Sequence, residues 1–148
     1  MLASLHRNRA RVLTHQRRRM FVKILVVDDE SMIRQLFKDA LESLPDVDVI
    51  SERSGFRAMT RVNEEPFDLL FTDIMMPGLN GLQTIEEVLQ LQPDIRIIVI
   101  TGYATEDILN DALAKGAEAC MKKPFGVMEI RQAVERVKGE LGSSDAPA

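Results

Sequence analysis

From Met20 onward the sequence alternates between short, solid apolar runs and longer stretches whose apolar residues recur three and four apart. That alternation restricts the fold more than any single residue does. The solid runs are "VKILVVD" (22–28), "VDVIS" (47–51), "FDLLFTD" (67–73), "RIIVITG" (96–102) and "EACMKK" (118–123). Between and after them lie "SMIRQLFKDALESL", "GFRAMTRVNEE", "GLQTIEEVLQLQ", "TEDILNDALAKG" and "GVMEIRQAVERVKGEL", each one-sided as a surface helix is. Strand and helix thus alternate five times. Solid strands separated by amphipathic helices predict an α/β fold, a parallel sheet covered by helices on both faces and joined by right-handed crossovers.

In such a sheet ligands collect beyond the carboxyl ends of the strands, where the strand order reverses. Polar residues gather at those ends: Asp28 and Asp29 after the first run, Asp73 after the third, Thr101 after the fourth and Lys123 after the fifth. A single Asp between strand and helix ordinarily caps the helix. Asp73, followed by Pro77, Gly78 and Gly81, fits that role when taken alone. Three acids on one rim do not, because two unit charges roughly 4 Å apart at an intermediate dielectric repel by about 4 kcal/mol. A hard divalent cation removes the conflict, and Mg2+ suits an all-oxygen site that also accepts phosphate oxygens. Lys123 adds a point charge and Thr101 a hydroxyl, both apt for an anion with spare oxygens. The chemistry implied is phosphoryl transfer with a carboxylate nucleophile. Asp28 and Asp29 are expected to hold the metal, and Asp73, alone on its strand, to attack.

The length of 148 residues suits one domain with one sizeable core. A single cysteine, Cys120, forms no internal disulfide. No stretch approaches the roughly 18 apolar residues of a membrane span, so the expected setting is cytoplasmic. The net charge of −4 is unevenly shared: residues 1–19 hold six arginines and no acid, leaving 13 basic against 23 acidic residues beyond them. That leader is expected to be a disordered extension or a mis-assigned start, with Met20 opening the domain. His6 and His15 within it are too isolated to suggest metal ligands. Nucleic-acid contact through the arginines is a rival reading, opposed by an acidic remainder that repels phosphates. A nucleotide-hydrolysing P-loop is excluded, since no G-x-x-x-x-G-K-[ST] string occurs. A haloacid dehalogenase type of phosphatase would place a second Asp two residues after the first, where Met75 stands.

"ILVVDDE", "LLFTDIMMPGLNG", "VITGYA" and "MKKPF", in this order, resemble the receiver domain of two-component response regulators over roughly residues 20–140. The resemblance implies a doubly wound, flavodoxin-like sandwich and a phosphoacceptor at Asp73, loaded by a histidine kinase or phosphotransfer protein. It implies Mg2+ bound directly by Asp29, Asp73 and the backbone carbonyl of Met75, and mainly through water by Asp28. Thr101 and Lys123 would bind phosphoryl oxygens, with a cis peptide at Lys123-Pro124. Gly102 would leave room for the phosphoryl group, while Met75 and Tyr103 would flank the path of the water that removes it. One position departs from the pattern: Cys120 stands where many members carry an aromatic switch, and its plain reading is a small buried hydrophobe. A downstream protein is expected to dock on the face of residues 105–138. Residues 141–148 are expected to form a flexible tail, making the chain a stand-alone switch for output or relay rather than a turnover enzyme. An interaction module that works without phosphorylation is the remaining alternative.

Overall fold

The computed structural model describes residues 21–76 and 81–144. Its strands are β1 (Val22–Val27), β2 (Val47–Glu52), β3 (Leu69–Asp73), β4 (Arg96–Thr101) and β5 (Ala119–Lys122). The helices are α1 (Ser31–Leu41), α2 (Gly55–Glu64), α3 (Gly81–Leu91), α4 (Glu106–Ala114) and α5 (Val127–Ser144). The sheet order is β2-β1-β3-β4-β5 and every neighbouring pair is parallel. The predicted architecture is therefore the observed one. Each predicted run matches a strand to within two residues at either end.

The period of two along each strand divides the core into two layers. On one face Ile24, Val26, Leu69, Phe71, Ile98 and Ile100 meet α1 and α5 through Phe37, Leu41, Ile130 and Val134. Phe37 sits at the centre of that layer, its ring 4.7 Å from Phe71 and 5.7 Å from Phe125. On the opposite face Leu25, Val27, Leu70, Ile97 and Val99 meet Val62, Ile85, Val88 and Ala112 of α2, α3 and α4. The middle strands read as solid apolar runs because both their faces are buried.

Local chemistry fixes the helix ends. Ser54 and Thr105 accept the backbone N–H groups of Arg57 and Ile108, capping α2 and α4. Helix α4 closes on Gly116 at φ 122°, with the Gly116 N–H bonded to Leu113 and the Ala117 N–H to Ala112, a Schellman arrangement. At the first residue of α3, a Cβ on Gly81 would lie 2.4 Å from Ile74 Cα, so only glycine lets the helix start against the strand end. At the opposite end of the sheet Gln92 accepts the Phe67 N–H at 2.8 Å. Its amide nitrogen donates to the carbonyls of Val62 and Glu65 at 2.8 and 2.7 Å.

One boundary differs from the sequence reading. Helix α5 continues to Ser144, so residues 141–144, expected in the tail, form its final turn. The apolar stripe fades there, but no proline intervenes before Pro147, and an added Cβ at Gly139 or Gly142 would meet nothing within 4 Å. The leader 1–19, the loop residues Pro77 and Gly78, and the last four residues of the expected tail lie outside the described residues. Among the described residues no helix is long and apolar enough to cross a membrane.

Candidate functional site

Sheet order brings the acids together. Strands β1 and β3 are neighbours with Val27 opposite Thr72, so the next residue of each chain segment, Asp28 and Asp73, lies side by side at the rim. Both are buried, at 0% and 5% exposure, whereas Asp29 and Glu30 are exposed. One carboxylate oxygen from each of these four acids falls within 4.8 Å of the others.

The two buried acids are held in the same way. Asp28 Oδ1 accepts the N–H of Glu30 at 2.9 Å, and Asp73 Oδ1 accepts that of Met75 at 2.8 Å, each the amide two residues on. Both remaining oxygens, Asp28 Oδ2 and Asp73 Oδ2, lie 2.9 Å from Lys123 Nζ. The same ammonium donates to Glu30 Oε1 at 2.8 Å. Burial would push the Lys123 ammonium down, but the close carboxylates of Asp28, Glu30 and Asp73 outweigh it and hold its pKa well above the usual lysine value. Asp28 moves the other way from a typical paired acid. Burial raises its pKa, repulsion from Asp73 adds to that, and the opposing pull of Lys123 and the Glu30 N–H does not cancel it.

Lys123 is itself fixed by the sheet. Its N–H donates to the Thr101 carbonyl at 2.8 Å, continuing the β4–β5 ladder beyond the Thr101–Lys122 pair. The Lys123-Pro124 bond is cis, as the motif implied. Thr101 is buried at 2% exposure, and its hydroxyl accepts the Tyr103 N–H through a long 3.4 Å bond. A Cβ at Gly102 would meet the Lys123 stem at 3.9 Å, an ordinary contact. The Met75 side chain is half exposed and that of Tyr103 is 90% exposed. Cys120 is partly buried, opposite Val99, and packs against the layer under α2, α3 and α4. Burial pushes its thiol pKa up, with only weak opposition from Lys122.

Two participants were not picked out from the sequence. Glu30 contributes the fourth carboxylate, and Arg34 Nη1 donates to the Asp28 carbonyl at 2.8 Å, bracing the turn that carries the acids. The signals were present: Glu30 directly follows the acid pair, and Arg34 stands one helical turn later on α1.

The donor set fits a hard divalent cation. Asp28 Oδ2 is buried and, although close to the ammonium, makes no aligned hydrogen bond. A desolvated carboxylate oxygen without a directed partner, among four clustered acids, is an arrangement that could hold a metal ion. Asp28, Asp29 and Asp73 are the residues able to hold it, with Glu30 beside them.

Comparison with known proteins points to one family. A family model described as the response regulator receiver domain matches residues 24–135. The DNA-binding transcriptional activator DevR/DosR of Mycobacterium tuberculosis is 32% identical, over 78% of this chain but only 54% of its own length. The chain thus spans about half of that relative. Sporulation initiation phosphotransferase F of Bacillus subtilis is 31% identical, over 77% of this chain and 91% of its own. Among solved structures, a CheY-like response regulator receiver domain protein from Methanospirillum hungatei is 26% identical with a TM-score of 0.79, covering 84% of this chain and 98% of its own.

Proposed function

The chain belongs to the response regulator receiver domain family of two-component signalling, and from that premise we propose that Asp73 is a phosphoacceptor working with Mg2+. The observation that carries this reading is the state of Asp73: buried, one oxygen held by the Met75 N–H, the other facing Lys123. A carboxylate so oriented attacks the phosphorus of a phosphohistidine on a kinase or phosphotransfer protein. The P–N bond breaks, its electron pair stays on the imidazole, and a mixed anhydride forms on Asp73. Mg2+, when held by Asp28, Asp29, Asp73 and the Met75 carbonyl, supplies positive charge to the phosphoryl oxygens. Lys123 and the Thr101 hydroxyl bind the remaining oxygens. In the return step water attacks phosphorus, the P–O bond to Asp73 breaks, and inorganic phosphate leaves. Met75 and Tyr103 flank that water and offer it little to orient it, which gives the phosphorylated state a long lifetime.

In this reading the chain is a cytoplasmic switch rather than a turnover enzyme. Thr101 couples the phosphoryl group to the face of residues 105–138, made of α4, β5 and α5, where a downstream protein docks. Cys120 leaves strand β5 without an aromatic rotor, so the accompanying rearrangement there is small. The test is labelling by acetyl phosphate followed by intact-protein mass spectrometry. The expected result is a single phosphoryl adduct that needs Mg2+ and is absent from Asp73→Asn. Full labelling of Asp73→Asn, or labelling undiminished by a chelator, overturns the proposal.

A further inference from the structure

One charged side chain at the rim has no part in the steps above. We propose that Glu30 is a positioning residue that holds the Lys123 ammonium before phosphorylation and competes with the phosphoryl group for it. This inference rests on the receiver reading of the site and concerns a residue which that reading leaves without a task.

An ammonium has three N–H donors, and Lys123 Nζ faces three carboxylates: Asp28 and Asp73 at 2.9 Å and Glu30 at 2.8 Å. Two of its donors are taken by aligned hydrogen bonds to Glu30 and Asp73, so a phosphoryl oxygen on Asp73 meets an ammonium already engaged by its neighbours. The three are unequal. The Asp28 and Asp73 side chains are 0% and 7% exposed, and each has its second oxygen held by a backbone amide. The Glu30 side chain is 57% exposed and gains water when it lets go. Among the described residues its carboxylate also makes no cap bond to α1, although it occupies the N-cap position. Among the described residues it accepts a hydrogen bond from Lys123, 93 residues away.

Glu30 is therefore the cheapest partner to displace. While in place it keeps the ammonium engaged and adds negative charge where an anion must arrive. Removing that charge leaves Lys123 freer to meet the incoming group. A half-exposed ion pair is weak, which sets the expected gain at about three- to tenfold in anion affinity.

The experiment uses the full chain and beryllofluoride, a mimic of the phosphoryl group, at saturating Mg2+. Fluorine NMR of the bound species gives its affinity for wild type, Glu30→Gln and Glu30→Ala. Mg2+ affinity is measured separately without beryllofluoride. Both variants are expected to bind beryllofluoride about three- to tenfold more tightly than wild type, and to load faster from acetyl phosphate. Equal or weaker binding by the variants, with wild type binding normally, overturns the role of Glu30 and leaves the receiver reading intact. Parallel weakening of Mg2+ and beryllofluoride likewise overturns it, since Glu30 would then serve the cation. Failure of wild type to bind beryllofluoride with Mg2+ takes down both readings together.

Discussion

Helix α5 sinks Ile130, Val134 and Val137 completely into the core, whereas α4, near the same edge of the sheet, fully buries only Ala112. The polar contacts follow the same division. Arg131 of α5 donates to the Ala40 carbonyl at 2.8 Å and to Ser43 Oγ at 3.2 Å, and Lys138 pairs with Asp46. Across from it, α4 is tied sideways by the Lys115–Glu86 ion pair, and its ends are set by the Thr105 cap and the Gly116 turn. One helix is positioned by its buried stripe and the other by its ends. A helix held at its ends can shift without opening the core, which is the property a switching face needs.

The strongest way to break this contrast is to truncate one buried side chain of α5. Ile130→Ala is expected to destabilise the domain by roughly 2–5 kcal/mol in chemical denaturation. A loss below 1 kcal/mol would show that α5 is not held by its stripe. Gly116→Ala comes next, because its positive φ is strained for an L-residue and the added Cβ would fall 2.4 Å from Leu89 Cδ1, together costing about 1–3 kcal/mol. Hydrogen exchange should show that loss concentrated in α4. If the whole domain loosens equally, the ends of α4 are not its anchor.

A smaller effect is expected at Lys138→Met, and its pH dependence identifies the cause. The Lys138 hydrogen bond is the main reason the Asp46 carboxyl is held below its ordinary 3.8. A depressed acid contributes stability above its unfolded pKa and loses it as pH falls through the folded one. The variant should be less stable than wild type at neutral pH, and the difference should vanish as Asp46 becomes protonated in both states. A deficit that persists in acid would assign the effect to lost packing of the lysine stem. Smallest of all, Leu113→Ala on α4, where the side chain is 45% exposed, should change stability by no more than about 0.5 kcal/mol. A larger loss would mean that α4 is packed more firmly than its burial indicates.

The sheet and its helices were legible because a parallel sheet buried on both faces writes each strand as a run such as "KILVV", and each helix as a stripe. The central acids were legible for a related reason: Asp28 and Asp73 interrupt those runs at the ends that point to one rim. Glu30 was not. Read along the chain it is a surface acid before a helix, and its meaning depends on Lys123, which reaches it only once β5 and the turn after it are in place. The division of labour between α4 and α5 was also hidden. Both carry apolar residues at helical spacing, and only the layer beneath each decides how deeply they sink. The last turn of α5 was missed because after Leu141, which packs partly buried against the core, the sequence Gly-Ser-Ser offers no apolar residue to continue the stripe, although the backbone continues.

Gln92 carries a liability of another kind. Glutamine side chains slowly hydrolyse to carboxylates as a protein ages, and most such events are harmless at the surface. Gln35 is exposed and bonds to Asp39 on its own helix, so conversion there changes little beyond a surface charge. At Gln92 the lost nitrogen is the one that donates to both Val62 and Glu65. Its replacement is an anionic oxygen facing two carbonyls, so attraction becomes repulsion where α2, β3 and α3 are joined. Ageing of the fold therefore has a weak point at an amide on the opposite end of the sheet from Asp73.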